Sequence, residues 1–144
     1  MTVEAALHQA RVLVGALVAG PLFGMAVMGL FDPPARVAAL VAPASLLGLV
    51  SPVIGYRLYH LLRERLPVDA DLASRCRSYV RANLAAMAVT EGAALFGLVA
   101  YFLSSELFTL IGVGAHVLLA GAIWPSPERL ELFLEPPPGT SASS

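Results

Sequence analysis

Four long apolar blocks constrain this chain more than any other feature of its sequence. They run from Val12 to Phe31, Val37 to Tyr56, Ala82 to Leu103 and Leu107 to Trp124. The hydrocarbon core of a bilayer is about 30 Å thick, and an α-helix needs about 20 residues to cross it. The first three blocks reach that length, and the fourth only just suffices. The pattern predicts an all-α membrane protein with four transmembrane helices.

The composition also indicates that lipid is the solvent of this chain. Of its 144 residues, 58% are hydrophobic and 13% are charged. A typical soluble domain has about 25% charged and about 45–50% apolar residues. The first block is longer than the core of about 7–15 residues found in signal peptides. Glu4 precedes this block, so we expect it to be retained.

The basic residues, all nine of them arginines, predict the orientation of the chain. Six lie between the second and third blocks: Arg57, Arg63, Arg65, Arg75, Arg77 and Arg81. Arg11 and Arg129 flank the outer blocks, and only Arg36 lies in the first hairpin loop. Cytoplasmic segments of membrane proteins carry an excess of basic residues. We therefore expect a multi-pass protein of the bacterial inner membrane with both termini in the cytoplasm.

The segment between the second and third blocks is predicted to be a cytoplasmic helical hairpin near residues 57–81. A leucine stripe continues the second helix, Pro67 ends it, and Asp69 or Asp71 is suited to cap the third helix. The six arginines of this segment are suited to contact anionic lipid headgroups. The alternative, that they act only as a topology signal, stays open.

The C-terminal part of the chain is predicted to divide in two. Residues 125–135 alternate acidic and apolar side chains, which favours a short helix on the membrane interface. Residues 136–144 have no apolar face to bury and are expected to be disordered. Residues 1–135 are accordingly expected to form a single domain.

The order of the blocks predicts two tandem antiparallel hairpins, and a weak internal repeat suggests that one hairpin was duplicated. The repeat appears when the second half of the sequence is laid on the first. It then places Leu22-Phe23-Gly24 on Leu95-Phe96-Gly97, Gly48 on Gly121 and Pro52 on Pro125. Two duplicated hairpins would be related by an axis along the membrane normal.

Small residues at helical spacing are predicted to let the helices pack closely, because lipid gives them no hydrophobic reason to associate. The candidates are Ala16, Gly20 and Gly24 in the first block and Ala93 and Gly97 in the third. A self-assembly surface on the first helix is the alternative. Prolines inside the first and second blocks predict kinks at Pro21, Pro43 and Pro52.

One carboxylate, Glu91, lies in the middle of the third block. It follows Arg81 by ten residues, which is about 15 Å along a helix. A charge at the bilayer centre costs about 2.5–3.5 kcal/mol or more. Counted from the turn at 104–106, His116 lies at a similar depth. We therefore expect Glu91 and His116 to approach each other, sharing a proton or bridged by water, and with Thr90 to form a proton or ion site. A neutral, structural carboxyl group is the alternative.

The segment that begins at Glu91, EGAALFGLVA, resembles the second helix of the proteolipid (c) subunits of rotary ATP synthases. In that family a carboxylate precedes small residues and then aromatic-Gly-Leu-Val. The resemblance implies that Glu91 carries a proton. The layout as a whole looks like small four-helix bacterial membrane proteins of unknown function, which have a Glu-Gly-x-x-Leu-Phe helix and a terminal Pro-x-x-Glu-Arg, as Pro125 to Arg129 have here.

Motifs for catalysis are lacking in this sequence. It contains no nucleophile motif or phosphate-binding loop, its histidines are far apart, and its single cysteine, Cys76, excludes an intrachain disulfide. We expect no enzyme activity, cofactor, metal or nucleic-acid partner. The sequence favours an accessory or structural subunit that packs in the lipid bilayer as a homo-oligomer or within a larger complex. The alternative is a protein that handles protons or cations through Glu91.

Overall fold

The computed structural model describes residues 1–31, 37–65 and 70–135. Over these ranges it contains helices and no strands. The helices are α1 (Val3–Met28), α2 (Val41–Glu64), α3 (Leu72–Ser104), α4 (Ile111–Ala122) and α5 (Pro127–Leu134). Short 3-10 turns at Ala38–Leu40 and Leu107–Leu110 precede α2 and α4. The predicted all-α class is confirmed for these residues, whereas Arg36, Pro67, Asp69 and the tail at 136–144 lie outside them.

Three helices, α1, α2 and α3, are long and apolar enough to cross a membrane. A fourth span exists only if α4 and α5 are counted as one bent helix, because α5 turns away from the α4 segment by 75°. The predicted block that ends at Trp124 is therefore shorter as a helix than expected.

The break between α4 and α5 has a local cause. Pro125 lacks a backbone donor and cannot continue the helix. The Ser126 side chain then caps the new helix, since its Oγ accepts the Arg129 N–H at 3.2 Å. A serine at this position satisfies a backbone donor that the first turn of a helix otherwise leaves free.

Polar side chains fix both ends of α3. Asp71, one of the two predicted caps, accepts the backbone N–H of Ser74 at 3.0 Å. Hydrogen bonds from the side chain and then the backbone of Ser74 lower the pKa of Asp71 below its usual value. At the other end, Ser105 adopts a left-handed conformation with φ of 60°, and Ser104 Oγ accepts the Glu106 N–H. This turn leads directly into the 3-10 turn before α4.

The pairing of the helices gives α3 a central place. The helix α3 packs against α1, α2 and α4, whereas the described residues of α1 and α2 make at most marginal contact with each other. The third block carries small residues on two neighbouring faces, such as Ala82 and Ala93. These faces let α1 and α2 approach α3 from different sides. The first hairpin of the prediction is therefore opened, with α3 between its two arms.

The residues matched by the internal repeat have different surroundings. Gly48 is buried at a helix crossing, whereas a Cβ added to Gly121 would meet open space. Pro52 lies inside α2, whereas Pro125 lies in the break between α4 and α5. The second predicted kink also changes: Pro43 belongs to the first turn of α2, where a missing N–H costs nothing.

Glycines bring the backbones of α2, α3 and the α4 segment into close contact. A Cβ at Gly48 would lie 2.6 Å from the Gly112 nitrogen, and one at Gly112 would lie 2.9 Å from the Ala93 carbonyl oxygen. A Cβ at Gly97 would overlap the Thr109 carbonyl oxygen. These sites leave no room for a side chain, so α2, α3 and α4 meet backbone to backbone.

The predicted packing residues of α1 lie differently from those of α3. Gly24 faces Leu98, since a Cβ there would lie 3.3 Å from a Leu98 methyl carbon. Ala16 is exposed. Gly20 is also exposed, although the side chain of Glu91 on α3 lies beside it.

Arginines hold α5 against the end of the bundle. Arg63 and Arg75 donate to the carbonyl oxygens of Leu132 and Leu134, which lie in the last turn of α5. Such carbonyls have no helical donor, and cationic side chains suit this end of a helix. Arg11 Nε donates to the Pro125 carbonyl at 3.0 Å, so α1 is joined to the same region.

The apolar face of α5 is buried in protein. Leu130 and Phe133 lie in the main core, and the Phe133 ring lies 5.8 Å from the Tyr59 ring and 5.2 Å from the Tyr79 ring, centroid to centroid. Cys76 belongs to the polar central segment in sequence, but it lies buried in this same core on α3. A short helix is present within the predicted range 125–135, and its Leu130 and Phe133 pack on the bundle, whereas Leu132 is exposed.

Candidate functional site

A proline in α1 creates the first element of the site. Pro21 lies inside the helix. It has no N–H, so the carbonyl oxygen of Leu17, four residues earlier, lacks its usual donor. His116, which is fully buried on α4, places Nε2 3.1 Å from that oxygen. A carbonyl oxygen only accepts, so Nε2 carries the proton and donates. The imidazole thereby replaces the backbone donor that Pro21 removed.

Thr90 on α3 fills the other side of the imidazole. Its Oγ1 lies 2.8 Å from His116 Nδ1, and both side chains are fully buried. In a neutral ring that donates through Nε2, Nδ1 accepts, so the Thr90 hydroxyl donates to it. The same hydroxyl lies 3.1 Å from the Met87 carbonyl oxygen, which gives its single proton a second acceptor. We call the side chains of Thr90 and His116 with the Leu17 carbonyl the polar lock, since together they join α1, α3 and α4.

Glu91 lies beside the polar lock and outside its hydrogen bonds. Its side chain is partly buried, and its Oε1 lies 3.3 Å from the point that a Cβ of Gly20 would occupy. The carboxyl group is close enough to interact with His116 electrostatically. Within the part of the chain that the structure describes, however, no hydrogen bond or ion pair joins Glu91 to His116.

The sequence places His116 at a depth shared by two neighbours on α3, and the rotation of the helix selects Thr90. Successive residues of an α-helix point about 100° apart. The residue that faces α4 is therefore Thr90, and Glu91 turns toward α1. A shared proton or bridging water between Glu91 and His116 stays a prediction.

Leu17 was not predicted from the sequence as a partner of His116. A signal for it was present, because every proline inside a helix frees the carbonyl oxygen four residues before it. A buried donor at the same depth on another helix is what such an oxygen needs. Pro21 and His116 satisfy that description together.

The six arginines predicted to bind headgroups divide into two groups. Arg63 and Arg75 contact the end of α5, as described above. The other four are exposed: Arg57, Arg65, Arg77 and Arg81. Arg77 also donates to Ser74 Oγ at 2.8 Å. Headgroup binding by these residues stays a prediction.

Metal ligands do not cluster in residues 1–31, 37–65 and 70–135. No three side chains of His, Cys, Asp or Glu in these ranges are placed to hold a metal ion. Of the three members of the predicted proton or ion site, Thr90 and His116 are joined by a hydrogen bond, and Glu91 lies next to them.

No protein-family model, curated protein or solved structure matches the chain. The polar lock, Glu91 and the arrangement of the helix ends are therefore the features from which a function can be inferred.

Proposed function

We propose that this chain is a non-enzymatic accessory or structural subunit that crosses a bacterial inner membrane four times and packs against another membrane chain. Both termini and the central segment would lie in the cytoplasm. Two sets of observations support the proposal: the arrangement of the helix ends, and the environment of Glu91.

The helix ends support four crossings. Three arginines meet at one end of the bundle, where Arg11, Arg63 and Arg75 contact α5 or the break before it. At the other end, Val37, which precedes α2, contacts the end of α3, because its N–H donates to the Leu103 carbonyl at 2.8 Å. The helical segment at 107–122 runs between these ends. Its length is about 24 Å, because each helical residue adds about 1.5 Å. In this interpretation the bent pair of α4 and α5 makes the fourth crossing, with the segment at 107–122 inside the membrane and α5 lying across the arginine-rich end.

The environment of Glu91 carries the proposed role. The carboxyl group lies near the middle of α3 and has no hydrogen-bond partner among the described residues. The adjoining surface of α1 is exposed and small, with Ala16 and Gly20. A polar group without a partner is costly in hydrocarbon. A second chain that packs on this surface would bring a donor to the carboxyl group and bury the small residues.

The experiment measures self-association of the full chain in lipid vesicles by energy transfer between labelled copies. We expect wild type and Glu91→Gln to associate equally, because the amide keeps an acceptor oxygen. Glu91→Leu should weaken association about threefold to eighteenfold, since hydrogen bonds between membrane helices contribute about 0.6–1.7 kcal/mol. Leu49→Ala, at an exposed position on α2, is the control and should not change it.

The alternative function, proton or cation handling through Glu91, is favoured by the proximity of the carboxyl group to His116. The same vesicles distinguish the two proposals. A monomeric chain that dissipates a proton gradient, with loss of that activity in Glu91→Gln, would reject the accessory role and support the carrier.

A further inference from the structure

A crevice between α2 and α5 presents cationic and aromatic groups at the arginine-rich end. It has a volume of about 120 Å³. Its lining includes Tyr59, His60, Arg63 and Arg129, and no acidic residue among the described residues lines it. The crevice therefore has the charge and the hydrogen-bond donors that a phosphate group requires.

Several donors of this crevice are not used within the described part of the chain. Arg129 makes no side-chain hydrogen bond or ion pair there, and neither does the His60 ring, which packs edge-on against Tyr56 at 4.5 Å. The Tyr59 hydroxyl likewise has no hydrogen-bond partner among those residues. Both Arg63 and Arg129 are near enough to the Tyr59 hydroxyl to act on it electrostatically. A free hydroxyl near two guanidinium groups is suited to bind an anion.

An apolar groove continues from this crevice along the seam between α2 and α4. It has a volume of about 400 Å³, and Tyr56 lines both the groove and the crevice. The other lining residues are Pro52, Val53, Ala115, Leu118, Leu119 and Ala122. From Ala115 to Ala122 the groove follows α4 for about 10 Å toward the middle of the bundle. Ala115 and Ala122 are its small lining residues on α4.

We infer that the crevice and the groove together bind one anionic phospholipid, with its phosphate in the crevice and an acyl chain in the groove. The cationic crevice and the apolar groove lie end to end, as the charged headgroup and the acyl chain of a phospholipid do. The inference rests on the proposed function only for the membrane location of the chain. It requires neither a partner chain nor proton movement.

The test is native mass spectrometry of the full chain in detergent, with added phosphatidylglycerol or phosphatidylcholine. We expect one phosphatidylglycerol per chain, retained in preference to phosphatidylcholine. Arg129→Gln should lower that retention about fivefold, which is the effect of one arginine beside an anionic headgroup. His8→Gln, at an exposed position on α1 outside the crevice, is the control and should retain the lipid as wild type does.

A second variant tests the groove. Ala115→Phe should lower the retention of phosphatidylglycerol, while soluble glycerol phosphate, which has no acyl chain, should not displace the lipid. Equal retention of both phospholipids, equal retention by Arg129→Gln and wild type, or full displacement by glycerol phosphate would overturn the inference. Self-association of the chain is measured separately, so failure here leaves the proposed function standing.

Discussion

Replacing His116 with leucine is expected to lower the free energy of unfolding by about 2–4 kcal/mol. The variant leaves the Leu17 carbonyl buried without a donor, which costs about 1–3 kcal/mol, and it removes the bond to Thr90, which contributes about 1 kcal/mol in a membrane. Thr90→Val should cost about 1–3 kcal/mol, because the Leu17 oxygen keeps its donor but His116 Nδ1 is left buried without one. Steric trapping in bicelles measures these free energies.

Pro21→Ala provides the decisive control for this result. An alanine at this position supplies the N–H that the Leu17 carbonyl lacks, so it should restore stability to the His116→Leu variant. The restoration should exceed the effect of Pro21→Ala in the wild-type background by about 1–3 kcal/mol, the cost of one orphaned buried carbonyl. Additive effects of the two substitutions would show that His116 does not replace the donor removed by Pro21.

Gly48→Ala is expected to destabilise the bundle by about 1–3 kcal/mol, because a methyl group inserted into a closed contact must separate two helices. Its Cβ would lie 2.6 Å from the Gly112 nitrogen, which is backbone and moves only with α4. Gly114→Ala is the matched control, since a Cβ there meets no neighbouring atom. That control should be neutral or stabilising by about 0.5–1 kcal/mol, the usual gain of alanine over glycine in a helix.

The same free-energy measurement serves both glycine variants. Equal effects of Gly48→Ala and Gly114→Ala would contradict the close backbone crossing of α2 and α4. A loss of stability in Gly48→Ala without a loss in Gly114→Ala would support this close crossing.

The interiors of the helices and some of their bounds, such as the cap of α3 at Asp71, could be predicted from the sequence. Hydropathy reports which residues prefer lipid, so it located the interiors of α1, α2 and α3. It does not report backbone hydrogen bonding. The helix α1 therefore begins at Val3, ahead of the apolar block. The continuation of α2 to Glu64 follows the leucine stripe beyond Tyr56, as predicted. The fourth block is shorter as an α-helix because it begins with a 3-10 turn at Leu107–Leu110 and α4 ends at Ala122.

The pairing of helices and the partners of the buried polar groups were beyond the sequence. An apolar helix face is equally stable against lipid and against another helix. Which helices become neighbours therefore depends on where glycines allow their backbones to approach closely. The contact between Gly48 and Gly112 arises from how α2 and α4 pack, and it cannot be read from the positions of the two glycines in the sequence. Depth could be counted along each chain segment, which brought His116 level with Glu91. The rotation of α3 about its axis, which turns Thr90 rather than Glu91 toward His116, could not be predicted.

The polar lock is tested most directly by nitrogen NMR of the His116 side chain in bicelles at neutral pH. We expect a neutral ring that carries its proton on Nε2, in a hydrogen bond that protects the proton from exchange with water, and an Nδ1 shift typical of an acceptor. Loss of that protection in Pro21→Ala, where the Leu17 carbonyl regains a backbone donor, would agree with this arrangement. A proton on Nδ1 alone, or an Nε2 proton in rapid exchange with water in the wild-type chain, would contradict it.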